Sequence, residues 1–526
     1  MPRLAGLLKT LDPLQQKQVA KELDEQPQRL PLRRADLYAR AMYQRAAKTA
    51  EAWVPKTASD VRVPETMGEL EKVDVLPGLV AIATADEDNE VASGPHDIML
   101  RALRSVPFLE DDRQWASLDE ATRVIERHLA DLQPAPFVEW PDVTSDTTLS
   151  LVAFQGIAAH LLEPAEGRSL DATYLIDLSW MSGVPVRPGN EPLGACAYFT
   201  ADRTLLRIYT GYDDTMHVPG DDRWEHTKWH WRCAVFAYVT IANHLGGLHF
   251  VCSELMMQAA REKLPADHAL RRLLKPHLYG VGTVNARAGL VLAPEGGLAH
   301  RLWPFTFEGV ATLLARGVAL ATFEPFPVTM AAKGIEKLGD RYPYATDGMD
   351  LYSICKNYAQ EYLDLYFPND NIVGDPDVRR WWRHLLSVAP QTGLSPLVCQ
   401  QQVVELIGQF IFLASGYHAQ VGAGTQYLMD PSFMGGKVRA GSEIADVQTT
   451  IQMLTLNALT ALYEPKLLDD YTHLFPEQHH EEASQTFQRF QAALVKLGHD
   501  IDARNRNRDL PFRTFHPSLL DSAVSK

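Results

Sequence analysis

The sequence predicts a mainly α protein: a large helical domain with long central helices and a small β-sheet subdomain. Three observations carry this. From Trp224 onward, apolar residues recur at helical spacing for most of the chain. The stretch 396–418 is polar at Gln400, Gln401 and Gln402. It then becomes apolar nearly all round (Leu406, Ile407, Phe410, Ile411, Phe412, Leu413), which places a helix deep in a large core. Over 147–210 the pattern shortens, and 197–200 and 205–210 read as paired strands around a turn at 201–203.

The totals agree with a large globular chain. It has 526 residues, 46% hydrophobic and 22% charged. That length suggests two to four domains, and one large helical domain also accommodates it. The net charge of -16 provides no basic stripe, so no nucleic-acid partner is expected. The five cysteines (Cys196, Cys233, Cys252, Cys355, Cys399) are odd in number and scattered, with no C-x-x-C pair. This argues against a disulfide framework or zinc ribbon and for a reduced setting, so a cytoplasmic location is expected. The N-terminus has no signal-like apolar core. No run approaches the ~20 apolar residues of a membrane span, so at most peripheral membrane contact is expected.

Taken in order, residues 1–60 read as two polar helices separated at Pro31. The second, 33–54, interleaves Arg33, Arg34, Arg40, Arg45 and Lys48 with Leu37, Ala41, Tyr43 and Trp53. It is either a membrane-surface helix or a helix packed on the main body with a solvated basic face; its weak apolar face favours the second. Residues 55–140 are loop-like, with an acidic stretch at 86–90 and a break at Pro134 and Pro136. The expected division is therefore a helical and irregular N-terminal region, 1–140, packed on a main domain, 141–526. Within the latter, helices are expected at 229–263, 269–277, 309–316, 348–366, 375–386, 396–418, 443–463 and 478–505. No fixed-period repeat is visible.

The chemistry centres on His244 and His249, inside the long helical pattern of 229–263. A spacing of five on a regular helix turns the two side chains roughly 140° apart, too far to share one metal ion. A π-bulge, a local widening associated with function, would bring them together. Asn243, Gly246 and Gly247 lower helix propensity at this place. The competing reading is two separate core histidines, each with one hydrogen bond. His418, at the end of the buried run 396–418, is a third candidate imidazole.

These segments resemble the lipoxygenases, non-haem iron dioxygenases of polyunsaturated fatty acids. The resemblance rests on W-x-x-x-K-W at Trp224, Lys228 and Trp229, on His244 and His249, and on His268 followed by the LLKPH that ends at His277. It continues through Arg316-Gly317-Val318, the Y-P-Y-A-x-D-G run from Tyr342 to Gly348, the Asp375 to Trp382 segment, and Ser415 to Val421 around His418. It covers roughly 170–526. The family's N-terminal β-barrel is expected to be missing, since 1–140 reads as helical and irregular, as in compact bacterial members.

The resemblance implies iron held by His244, His249 and His418. It also implies a fourth, weaker ligand four residues after the third histidine and a fifth from the main-chain carboxylate of the last residue. Here the fourth position is Gly422, which has no side chain, so water would take it or the local path would shift. The segment beyond His418 is one residue longer than usual before Gln426-Tyr427, which resembles the family's Q-Y. The last residue is Lys526, whose carboxylate can serve although its ammonium is costly to bury. The alternative is a frayed tail. Ala286 stands where the family biases oxygen towards S products. Arg287 beside it is either a structural arginine or part of a carboxylate clamp. Thr240 replaces a glutamine that links pocket and iron. Three other groupings carry bland expectations: 479–482 a solvated helix start, 229–231 core, and 422–424 not a phosphate loop.

The function implied is dioxygenation of a polyunsaturated fatty acid, or a similar apolar polyene, to a hydroperoxide. The partners are the apolar substrate and O2. The departures at Gly422, Thr240 and Lys526 keep two alternatives open: an iron enzyme of changed chemistry, such as hydroperoxide isomerisation, and an iron-free lipid-binding relative.

Overall fold

The computed structural model describes residues 140–526, apart from 141, 294–297, 389–391, 425–426, 428–431, 442–464 and 526. It also describes a short antiparallel pair, Lys72–Val73 with Ile82–Ala83. The expected N-terminal helices and the expected helix at 443–463 lie outside the described residues.

The small sheet has five antiparallel strands in chain order: β1 (Glu163–Pro164), β2 (Tyr174–Asp177), β3 (Ala195–Phe199), β4 (Leu205–Thr210) and β5 (Thr215–His217). The two expected strands are its centre. Ile176, Ala197 and Ile208 lie side by side in register, all fully buried, so one face of the meander joins the core. Phe199 meets Phe154 edge-on at 5.4 Å, tying the sheet to helix α1 (Asp146–Gln155).

Helix α2, Trp224–Lys263, runs 40 residues through the middle of the molecule. It starts five residues earlier than expected because a tertiary contact holds its first turn. Asp146, on α1, accepts from Trp224 Nε1 at 2.8 Å and from the buried Lys228 Nζ at 2.7 Å. By length and composition α2 is apolar enough to cross a membrane, which corrects the expectation that no run qualifies. Yet 78% of its most apolar window is buried inside the protein, so it is the core helix of this fold.

The other principal helices build the rest of the body. They are α3 (Val281–Arg287), α4 (Phe307–Leu320), α5 (Phe326–Lys333), α6 (Pro343–Tyr366), α7 (Pro376–Val388) and α9 (His480–Asn505). Helix α8 is Gln400–Phe412 continued by Leu413–Tyr417 and His418–Gly422. Helices α4 and α6 run longer than sequence periodicity suggests, α8 and α9 start later than expected, and α3 and α5 were not expected. Helix α4 crosses α2 at glycines: a Cβ on Gly317 would lie 2.0 Å from the Ala242 carbonyl oxygen, and one on Gly246 2.9 Å from the Leu314 oxygen. Helix α6 packs between α8 and α9, with Tyr358 stacked on Phe490 at 4.4 Å. Of the 229–231 aromatics, His230 and Trp231 are fully buried as expected while Trp229 is half-buried against the core, and His480 opens α9 on the surface.

The C-terminal segment is drawn into the core rather than frayed. Leu520 to Val524 are buried, Lys466 pairs with Asp521, and Ser522 N donates to Pro465 O at 2.8 Å. Ser522 O accepts from His277 Nδ1 at 2.9 Å, and Ser522 Oγ donates to Pro276 O at 3.0 Å. Lys526 itself lies outside the described residues.

Burial has a consequence for acid stability. His277, His230 and His160 each donate one ring N–H to an oxygen, of Ser522, Pro192 and Asn243 respectively. Burial lowers each pKa to about 4 from 6.5. The fold holds them neutral while the unfolded chain protonates them below 6.5, so stability present above that pH is lost as pH falls towards 4. At roughly 1.4 kcal/mol per pH unit per group, three such groups consume a marginal stability. Circular dichroism against pH is expected to show cooperative acid unfolding between pH 6.5 and 4. Replacing His277 by Gln, which keeps a donor but does not titrate, is expected to move the midpoint down.

Candidate metal centre

The middle of α2, Tyr238–Ser253, is a π-helix. Its i→i+5 bonding is seen where Glu254 N donates to His249 O, and it brings residues five apart onto one side. The awkward spacing of His244 and His249 is thereby resolved. Helix α8 widens in the same way: its π segment Leu413–Tyr417 ends on His418, whose N–H donates to Leu413 O. Both histidine-bearing helices are thus unwound at the same place, and the second widening had no signal in the sequence.

The three imidazoles converge. Their ring centroids are 4.7 Å apart for His244 and His249, 5.0 Å for His244 and His418, and 5.6 Å for His249 and His418. One ring nitrogen from each lies within 4.8 Å of the others. His249 and His418 are buried, 3% and 2% exposed.

The tautomer of His249 follows from its neighbours. Asn285, fully buried on α3, donates its Nδ2 to His249 O at 2.9 Å and to Glu254 Oε2 at 2.8 Å. Gln258 Nε2 in turn holds Glu254 Oε1 at 2.6 Å. With its amide nitrogen so placed, Asn285 turns Oδ1 to His249 Nδ1 at 2.9 Å, which must then carry the proton. The lone pair of His249 is on Nε2, 3.1 Å from His244 Nε2. Two such nitrogens at this separation match neighbouring ligands of one ion at bond lengths of ~2.1 Å. A side-chain oxygen fixing the far nitrogen is the usual support of a metal-binding histidine. Three neutral imidazoles in a buried pocket fit iron by donor type.

The remaining expected positions are distributed unevenly. A Cβ on Gly422 would meet only His244 Cε1 at 3.6 Å and Nε2 at 3.7 Å, so this position faces the cluster and contributes no atom to it. Because that contact is ordinary, Gly422→Asn is expected to fold normally and to slow iron loss to a chelator several-fold by adding a donor; stopped dialysis with iron assay measures this. Thr240 is half-buried on the π-helix, and its side chain makes no hydrogen bond among the described residues. Ala286 and Arg287 belong to α3, but their side chains lie outside the described residues, as do Gln426 and Lys526. Asn285, next to Ala286 in sequence, is the supporting residue that sequence reasoning did not assign.

A second grouping, His268, Asp375 and Asp377, is half-buried. Its acids are occupied: Asp375 caps α7 by accepting from Asp377 N and Val378 N at 2.8 and 3.0 Å, and Asp377 pairs with Arg380. It reads as a helix cap.

Comparison with known proteins points the same way. The lipoxygenase family model matches residues 203–435. A polyunsaturated fatty acid lipoxygenase of Mus musculus is 26% identical over 349 residues, 61% of this chain and 51% of the mouse protein. A hydroperoxide isomerase of Rattus norvegicus is 26% identical over 313 residues, 54% of this chain and 43% of the rat protein. The chain spans about half the length of the curated relatives it matches. Among solved structures, coral 8R-lipoxygenase superposes with a TM-score of 0.74 at 16% identity, covering 88% of this chain and 80% of its own. A fungal lipoxygenase from Fusarium graminearum gives 0.71 at 13% identity, covering 88% and 98%. These two likenesses are of fold.

Proposed function

We propose, from the premise that this chain belongs to the lipoxygenase family, that it is a non-haem iron dioxygenase. Its substrate would be a polyunsaturated fatty acid or similar apolar polyene, and its product a hydroperoxide. The convergence of His244, His249 and His418 supports this most directly. Iron bound there would supply the one-electron chemistry that joins O2 to a pentadiene. The chain's own part is positional. Asn285 fixes the His249 tautomer, the π segments aim the three rings, and the apolar surroundings keep water from a carbon radical.

The Lys526 carboxylate is proposed as a further donor, supported by the burial of the tail through Val524. Ala286 and Arg287 are proposed to contact substrate, supported by their place beside Asn285 on α3. A cytoplasmic location and at most peripheral membrane contact belong to the same reading. A second reading is hydroperoxide isomerisation at the same iron. It is favoured by the missing side chain at Gly422 and by a relative named for that activity.

Iron-loaded protein given linoleate or arachidonate separates the two: the first reading expects oxygen uptake with a rise in conjugated-diene absorbance. Iron present, no oxygen uptake on any polyene, and consumption of added hydroperoxide would replace the first reading by the second. Protein that takes up no iron would overturn both.

A further inference from the structure

A cavity of about 160 Å³ lies among α2, α4, α5, α6 and α8. Leu248, Phe326, Phe412 and Leu413 give it apolar walls. Its exposed lining residues, Leu320, Thr322 and Glu324, mark the mouth. Deeper, the lining includes three uncharged donor side chains: Tyr344, Tyr417 and Gln409. Tyr344 and Gln409 are 3% and 4% exposed. Among the described residues, neither phenol oxygen has a hydrogen-bond partner. Gln409 Oε1 accepts from Phe326 N at 2.9 Å, and its Nε2 has no partner among the described residues. Donors that open onto a cavity and have no protein partner among the described residues can each hold an acceptor that arrives with a ligand, and three lie around this one.

The charges nearby decide what kind of acceptor. Among the described residues, no lysine or arginine lines the cavity. Lys333, close by on α5, donates its Nζ to the main-chain oxygens of His160 and Leu162. His160 Nε2 is engaged with Asn243 Oδ1 at 3.1 Å. The acid at the mouth, Glu324, would repel an incoming anion. A carboxylate placed here would lose its hydration without gaining a cation, whereas a neutral oxygen needs only the donors present.

We propose that this cavity receives an apolar chain bearing an uncharged oxygen acceptor, an ester carbonyl or a hydroxyl, and selects against a free carboxylate. Tyr417 immediately precedes His418, and Asn243, also in the lining, immediately precedes His244. The lining is thus continuous in sequence with two of the three imidazoles. The inference names the substrate class for the iron chemistry proposed above and rests on that reading for its purpose, but the binding preference itself needs no iron.

The test is equilibrium dialysis of radiolabelled methyl linoleate and linoleate against metal-free protein at pH 8, with linoleyl alcohol as the hydroxyl-bearing arm. The ester, the alcohol or both are expected to bind about tenfold more tightly than the acid. Tyr344→Phe with Tyr417→Phe is expected to weaken the favoured ligand about tenfold while the thermal midpoint holds or rises, since the hydroxyls removed have no partner among the described residues. Glu324→Gln, on the surface, is expected to strengthen linoleate binding a few-fold. Linoleate binding as tightly as both neutral ligands, or neutral-ligand affinity unchanged in the double tyrosine variant, would overturn the proposal. Either result leaves the iron reading intact, and a protein that fails to take up iron leaves this preference intact.

Discussion

His249→Ala is expected to abolish iron retention, whereas His480→Ala leaves it unchanged. His249 is held from both its ring and its main chain. It is buried, its Nδ1 is held by Asn285 at 2.9 Å, and its own main-chain oxygen accepts from Asn285 and from Ser253 Oγ at 2.9 Å. Loss of an outer partner of a metal ligand costs ~10–100-fold in affinity, and loss of the ligand itself costs at least as much. His480 opens α9 on the surface, far from this network in every hydrogen bond it makes. Iron assay after extensive dialysis, with circular dichroism to confirm folding, checks both. Iron retained by both variants would place the ion elsewhere.

Gly317→Ala is expected to be the most damaging small substitution in the helical body. An added Cβ would sit 2.0 Å from Ala242 O and 2.7 Å from Ala242 C, both backbone atoms that cannot turn aside. Helices α2 and α4 would have to part, at a cost of about 3 kcal/mol or more. Because Ala242 is two residues from His244, the displacement reaches the imidazole cluster, so iron affinity is expected to fall with stability. The comparison is Gly374→Ala, where a Cβ meets nothing within 4 Å and the change should stay within about 0.5 kcal/mol. Urea unfolding midpoints of the two variants test this; equal midpoints would mean that the helix crossing is slack.

Much of this architecture was legible from residue order, and the reasons for the exceptions are physical. The five-residue spacing of His244 and His249, with Asn243, Gly246 and Gly247 between and beside them, called for a widened helix, and the π-helix Tyr238–Ser253 supplies it. The matching widening at Leu413–Tyr417 was invisible, because a π turn in a helix apolar on all sides leaves no trace in periodicity. Strands β3 and β4 were legible as short runs paired around the turn at 201–203. Strands β1 and β5 are too short, at two and three residues, to show a pattern. The true start of α2 depends on Asp146 reaching Trp224 and Lys228 across 78 and 82 residues, a contact that no local pattern encodes. Asn285 escaped notice for the same reason, being 36 residues from His249. Gly422 was legible as a missing side chain. That the gap faces His244 is a matter of three dimensions.

The most direct measurement is anomalous diffraction at the iron edge from crystals of iron-loaded protein. The account predicts one peak per chain, within bonding distance of the nearest ring nitrogens of His244, His249 and His418. A peak at His268, Asp375 and Asp377, or no ordered peak in protein shown by assay to contain iron, would contradict it.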